Sequence, residues 1–388
     1  MLLAFIVFVV ILGLLVFIHE LGHFVTAKKS GVKVEEFGFG LPPRIFGIYK
    51  DKKLNTWRKV GVKTHITPET IYSLNWIPLG GFVKIKGEQG ENAHDTDSFG
   101  SKSISRRILI ISAGVIMNIF LAVFLFFIGY IIGMPREIDS SINSRFAKVK
   151  NEEIIITAVF DGLPAKEKGI MPGDIIKTID NNAFSAIEEV QKYMQEKKNT
   201  AITLQIKRAD KIKIFTLVPT ILQETKKSGI GVGLAAVGTV SYPWYYSIFE
   251  AIKTTFFFIK EILIAFYNLI KNLIFTRSVS VELSGPVGIA VMTGEVTRLG
   301  FIYILQFAAL LSINLAIINF MPFPALDGGR VLFLIIEKLR GKAINARIES
   351  LIHSIGLYVL LLLVVVVTYK DILKFSDKFK SLWSSLFG

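Results

Sequence analysis

Residues 2–27 read LLAFIVFVVILGLLVFIHELGHFVTA. From Leu2 to Ile18 every residue is apolar or glycine, and the run continued to Ala27 is long enough, as a helix, to cross the hydrocarbon core of a bilayer. Inside it stand His19, Glu20 and His23. Helical positions four apart share a face, so both imidazoles can reach one Zn2+ ion. Glu20, beside the first of them, is placed to accept a proton from an attacking water. Ionisable groups in so apolar a segment are costly without partners, which makes the cluster a functional-site hypothesis in itself. The stretch has neither a basic leading region nor a small-residue cleavage site, so it is expected to be retained rather than removed as a signal peptide.

The whole chain agrees with this start. It has 388 residues, 52% of them hydrophobic, 31 of them Phe, with a mean hydropathy of +0.52, more apolar area than a water-soluble surface accommodates. Four stretches are long and apolar enough to span: 2–25, 108–133, 301–320 and 351–368. The net charge of +14 points to membrane-flanking loops rather than nucleic acid, because basic residues crowd beside the spans. Between Lys28 and Arg107 there are 15 Lys/Arg against 8 Asp/Glu, and from Met134 to Gly300 there are 21 against 17, which places the first loop in the cytoplasm. The amino terminus, residues 135–300 and the carboxyl terminus then lie outside. Lys370, Lys374, Lys378 and Lys380 run against that bias, which is weak for a short terminal segment. With no cysteine, a metal site must be built from His and carboxylate.

The expected organisation is a spanning helix over 1–27, a cytoplasmic loop over 28–105, a second span over 106–133 and an outer α+β domain over 140–235. An outer helix over 243–275, spans over 299–329 and 351–369 and a tail over 370–388 complete it. The 243–275 segment is rich in Phe, Ile and Leu. Its polar residues Glu250, Lys253, Lys260, Glu261, Asn268, Lys271 and Asn272 recur at helical spacing, which suits an amphipathic helix at the interface. In the outer domain, short β-type runs at 154–159, 174–179, 200–206 and 212–218 surround a helical run at 186–196. Gly162-Leu163-Pro164-Ala165, the Gly169–Ile176 stretch with its Pro172-Gly173-Asp174 turn, and Ile179-Asp180-Asn181 resemble a PDZ domain. That resemblance implies binding of an extended peptide at a sheet edge, although a purely structural β domain also fits.

A catalytic zinc site needs a third protein ligand, and Asp327 is the candidate. It follows Asn319-Phe320-Met321-Pro322-Phe323-Pro324-Ala325-Leu326, in which two prolines break the helix. Broken backbone at membrane depth is tolerated where it is buried in protein or lines a wet cavity. The residues alone also fit Asp327 as a plain helix-end carboxylate, and that is the simpler reading. Asn319 adds an amide able to donate to a substrate carbonyl or a developing oxyanion.

Together, His-Glu-x-x-His in the first span and Asn-x-x-Pro-x-Pro-x-Leu-Asp-Gly near the end of the third resemble the site-2 protease family, in its bacterial branch with a periplasmic PDZ domain. The resemblance covers nearly the whole chain. It implies a polytopic α-helical membrane protein with four transmembrane helices, an inserted PDZ-like domain and a membrane-associated β element in the first loop. It further implies His19, His23 and Asp327 as zinc ligands, Glu20 as catalytic base and Asn319 as a catalytic aid to the substrate. Asn314, Pro322, Pro324, Gly38 and Gly40 are implied on the substrate path, Asn314 fitting an interhelical hydrogen bond equally well. Phe37-Gly38-Phe39-Gly40 with Pro42 and Pro43, the Pro78–Lys84 stretch and Gly285-Pro286-Val287-Gly288-Ile289 also look like family elements. One extra crossing at 243–275 would put Asp327 on the opposite membrane face from His23.

The implied activity is regulated intramembrane proteolysis in the bacterial inner membrane, with the PDZ domain periplasmic and the site near the cytoplasmic side. Single-span proteins such as anti-sigma factors, first shortened by another protease, are the implied substrates. The outer domain has room for one PDZ module with a clear signature rather than two. A protease of prenylated tails would usually carry a different third-ligand pattern. A metal transporter would line a path with intramembrane His or Asp, and an inactive adaptor would have lost a ligand or the base. His65, His94 and His353 lie outside the proposed core and read as surface polar contacts.

Overall fold

The structure, a computed structural model, describes residues 2–62, 67, 69–88, 90, 92, 94–139, 142, 145–208, 211–222, 226–275 and 285–376. His65, Lys378 and Lys380 lie outside the described residues. The chain divides into two compact units, 1–126 with 251–388, and 127–250.

The first unit opens on α1 (Leu2–Lys29), closed by Lys28 and Lys29, whose charges suit a helix carboxyl end and the membrane edge. Then β1 (Val34–Asp51), β2 (Thr56–Val60) and β3 (Ile71–Ile85) form an antiparallel sheet in the order β2-β1-β3. Both long strands bend back on themselves, β1 around Pro42-Pro43 and β3 around Pro78-Leu79-Gly80. Phe37 therefore lies opposite both Val83 and Tyr72, and Phe39 opposite both Gly81 and Leu74. The first arm of β1, which carries Gly38 and Gly40, is thus paired along both edges by the two arms of β3.

Gly80, at φ +80°, brings the β3 bend against α1, where an added Cβ would meet Val16 at 2.5 Å. Val16 lies twelve residues from Lys28, about 18 Å along a helix. The sheet accordingly runs beside α1 well away from its basic end, with exposed Leu41, Ile45, Phe46, Trp76 and Ile77 around its bends. Within it the buried pair Arg44 and Glu36 is bidentate, Nε donating to Oε1 at 2.8 Å and a terminal nitrogen to Oε2. The span α2 (Ile104–Ile132) follows.

The second unit contains β4 (Met134–Glu137), β5 (Lys148–Val159), the single turn α3 (Pro164–Glu167), β6 (Ile175–Ile179) and α4 (Ile187–Glu196). It continues with β7 (Ile202–Arg208), β8 (Lys211–Leu217), the short pair β9 (Thr220–Ile221) and β10 (Ser228–Gly229), and β11 (Val232–Ser241). Six strands pair in the order β4-β11-β5-β6-β7-β8. Ile154, Ile156, Ile176, Ile179, Ile202, Leu204 and Ile206 form its core with Val190 and Met194, one turn apart on α4.

The Pro-Gly-Asp turn has a physical role here. Asp174 is buried, and its carboxylate accepts Nε and a terminal nitrogen of Arg208, both at 2.7 Å, and the Met171 amide at 2.9 Å. Four strands and the helix occupy the stretches their patterns suggested. The unit is nevertheless wider than 140–235, because β4 and β11 pair outside those limits. β11, GLAAVGT through its middle, has too little alternation to declare itself, and its pairing to β5 and β4 is what makes it a strand.

The first unit resumes in α5 (Trp244–Phe275), followed by α6 (Pro286–Leu299), α7 (Phe301–Phe320), α8 (Asp327–Arg340) and α9 (Ala346–Lys374). Among the described residues four helices, α1, α2, α7 and α9, are long and apolar enough to cross a membrane. Within 299–329 the prolines stop α7 at Phe320 and α8 restarts at Asp327, so the break expected at Pro322 and Pro324 separates two helices. α6 was not anticipated from the sequence. Its amino terminus is capped across the fold by Asp371 of α9, which accepts the amides of Gly285 at 2.9 Å and Gly288 at 2.7 Å.

Candidate metal centre

The centre is built where α1 crosses α2. Gly22 makes the approach possible, because a Cβ there would lie 2.4 Å from the Ala113 carbonyl oxygen. Gly114 does the same from the other side, where an added Cβ would sit 2.5 Å from Nε2 of His23 and 2.7 Å from Nε2 of His19. The two buried imidazoles therefore stand against bare helix backbone.

Asp327 arrives 308 residues later in the chain, at the first turn of α8. Its Oδ2 lies 3.0 Å from His19 Nε2 and 3.3 Å from His23 Nε2, and the two Nε2 atoms are 3.1 Å apart. Three donor atoms about 2.0–2.2 Å from one tetrahedral zinc stand roughly 3.3–3.5 Å from one another. The observed triangle is close to one face of that tetrahedron, so the donor set fits zinc by size as well as by chemistry. Among the described residues this is the one His/Asp/Glu group that converges in this way.

Both imidazoles have a partner behind them. Nδ1 of His23 donates to the Ile110 carbonyl at 2.8 Å, which leaves the Nε2 lone pair facing the triangle. Nδ1 of His19 faces the side-chain amide of Asn118 at 3.4 Å. Glu20 stands within electrostatic reach of His23, Asp327 and Glu88, and close to the backbone of Val83. Val83 belongs to the second arm of β3, whose other edge pairs with no strand among the described residues. Glu88, just beyond that arm, is ion-paired with Arg330 of α8.

The loop before Asp327 is held from α9. Nδ1 of His353 accepts the Ala325 amide at 2.9 Å, and Gly356 lies so near Pro324 that a Cβ would be 2.6 Å from its carbonyl oxygen. The expectation of His353 as a surface contact is corrected: it is partly buried against the ligand-bearing loop, whereas His94 is exposed. Pro322 lines a cavity of about 280 Å³ with Val115, Ile119, Phe320 and Met321, and Pro324 abuts Gly356. Asn314 and Asn319 are half-buried on α7 and, five residues apart, point about 140° away from each other in helical projection. Gly38 and Gly40 lie in the doubly paired arm of β1, where Asn75 donates to the Gly40 carbonyl at 2.8 Å.

Comparison with known proteins bears on what such a centre does. The model of Peptidase family M50 matches residues 7–363. The chain belongs to peptidase family M50. This M50 peptidase is 32% identical over 360 residues to a Clostridium perfringens protein provisionally named a zinc metalloprotease, covering 92% of this chain and 95% of that one. It is 28% identical over 448 residues to the regulator of sigma-W protease RasP of Bacillus subtilis, covering 95% and 97%. Among solved structures, the PDZ domain of an SdrC-like protein from Listeria monocytogenes matches at 30% identity over 22% of this chain and 92% of that domain, with a TM-score of 0.21. The M50 peptidase is thus a membrane-embedded zinc metalloprotease of site-2 type.

Ile110, Gly114 and Asn118 carry no signal of their own in the sequence.

Proposed function

We propose that this M50 peptidase cuts single-span membrane proteins of the anti-sigma-factor kind within the inner membrane, near the cytoplasmic face, after another protease has shortened them. The observation that carries the proposal is the triangle of His19, His23 and Asp327 with Glu20 beside it, at the basic end of a spanning helix. In this reading those three residues hold zinc. The ion supplies Lewis-acid polarisation of water and of the scissile carbonyl. Glu20 takes a proton from the attacking water and returns it to the leaving amine. Asn319 donates to the oxygen on which charge develops.

A helical substrate hides its peptide carbonyls in internal hydrogen bonds and must unwind to react. The edge of the second β3 arm that pairs with no strand among the described residues supports a route, because a substrate strand laid along it would have its backbone groups satisfied beside Glu20. Gly38 and Gly40 then shape the sheet from behind. The sheltered groove between α4 and the start of β11, lined by Val190, Met194, Ile230 and Val232 in a cavity of about 250 Å³, suits an extended peptide such as a trimmed substrate end. The excess of basic residues between Lys28 and Arg107 supports a cytoplasmic first loop and a periplasmic PDZ-like domain. The regulator named among the relatives is consistent with control of a sigma factor.

The test is to replace Glu20 by Gln and Asp327 by Asn and to measure zinc content and cleavage of a single-span substrate in detergent. Glu20→Gln should keep zinc and abolish cleavage, and Asp327→Asn should weaken zinc retention. Undiminished cleavage by Glu20→Gln refutes the proposal.

A further inference from the structure

We infer that Asn118 is a positioning residue for the metal centre, accepting the Nδ1 proton of His19 and so presenting its Nε2 lone pair to the ion. The inference rests on the zinc-centre reading above and extends it to α2.

Ile110, Gly114 and Asn118 are spaced four apart, so they form one stripe on α2. α1 and α2 meet through Gly22 and Gly114, and along this contact Asn118 faces His19 while Ile110 faces His23. The stripe supplies each imidazole with a partner on the side away from the triangle. For His23 that partner is a backbone carbonyl, independent of residue type. For His19 it is a side chain, so the function is open to mutation.

Asn118 is wholly buried, and its Oδ1 has no hydrogen-bond partner among the described residues, while the amide nitrogen faces His19 Nδ1 at 3.4 Å. A histidine that ligates through Nε2 carries its proton on Nδ1, where it needs an acceptor. A half-turn of the amide puts the unpaired oxygen opposite that proton. One rotation then satisfies a buried acceptor and sets the tautomer that a ligand requires. Asn118 is itself held in register, because Ser312 of α7 donates to its backbone carbonyl at 2.8 Å.

The experiment uses the full-length protein in detergent, with zinc affinity read by chelator competition rather than by proteolysis. Asn118→Leu, close in volume and without an acceptor, is expected to weaken zinc binding about 10- to 100-fold. Asn118→Asp, which keeps the acceptor, is expected to stay within about threefold of the wild type or bind more tightly. A residue that only fills space gives the opposite order, since burying a carboxylate harms packing more than leucine does. Wild-type affinity in Asn118→Leu, or a larger loss in Asn118→Asp, overturns the inference.

Should a variant not fold, nitrogen-15 histidine spectra of the zinc-loaded wild type answer the same question. A slowly exchanging Nδ1 proton on His19 supports the inference, and His19 bound through Nδ1 overturns it. Failure of the wild type to bind zinc at all would instead remove the reading of the centre, which keeps the two failures apart.

Discussion

Nδ1 of His353 accepts the backbone amide of Ala325 at 2.9 Å, two residues before Asp327. Ala325 stands at φ +78°, a left-handed conformation that costs a residue with a side chain, and prolines at 322 and 324 leave the loop short of amide donors. α9 therefore holds the loop in a shape it would not keep alone. Replacing His353 by Leu leaves the Ala325 amide without its acceptor, at a cost of about 1–3 kcal/mol. The expected result is faster loss of zinc to chelator together with lower cleavage, measured against wild type under one detergent condition.

Gly356 makes the same joint from the packing side. A Cβ there meets Pro324 at 2.4 Å, so Gly356→Val must push α9 off the loop. Overpacking of this kind costs about 1–3 kcal/mol. Thermal unfolding of the detergent-solubilised protein should show a lower midpoint, and Gly356→Ala should fall between the two.

Gly114→Ala separates the metal site from helix stability. Alanine favours a helix over glycine by about 1 kcal/mol, yet its Cβ would sit 2.5 Å from His23 Nε2. The protein should remain helical by circular dichroism and lose zinc affinity by about tenfold or more. Full zinc occupancy in this variant at limiting metal would show that the imidazoles have room to move.

In the PDZ-like unit, Asp174 sets an acid limit. Burial alone would raise its pKa, but the Arg208 guanidinium and the Met171 amide outweigh that and hold it below the ordinary value of 3.8. A depressed folded pKa gives stability that is present above the unfolded value and is lost as pH falls through the folded one. Stability of this unit should hold from neutrality to about pH 5 and then decline. Arg208→Leu should begin its acid unfolding at higher pH and cost about 1–3 kcal/mol at neutrality, read by urea titration.

Asp371 ties the far end of α9 to α6 through the Gly285 and Gly288 amides. Asp371→Ala should cost about 1–2 kcal/mol, as a lost amino-terminal cap does. Proteolytic nicking near residue 285 should speed up, while Asp371→Asn, which retains an acceptor oxygen, should lose less.

Much of this protein was legible without a structure, for a physical reason that particular residues make plain. His19 and His23 share a face because four residues make about one helical turn, and that holds before any tertiary contact forms. The spans follow from the length of apolar runs, the PDZ-like turn from Pro172-Gly173-Asp174, and the break before Asp327 from proline's missing amide, all properties of short segments. The expected fold class, zinc dependence and protease family agree with the match to peptidase family M50.

What stands behind those residues was decided only by packing. The partner of His23 is a backbone carbonyl 87 residues away, and the amide facing His19 lies 99 residues away. Spacing along the chain carries no information about either. The doubled pairing of β1 between two arms of β3 depends on bends at Pro42-Pro43 and Pro78–Gly80 that no alternation pattern announces. Gly22, Gly114 and Gly356 matter for the side chain they lack at points where helices touch, which only the crossing itself reveals. The sequence by itself determined which residues are able to bind a metal in a membrane. The tertiary structure decided how those residues are brought within 3.3 Å of one another and what holds each of them there.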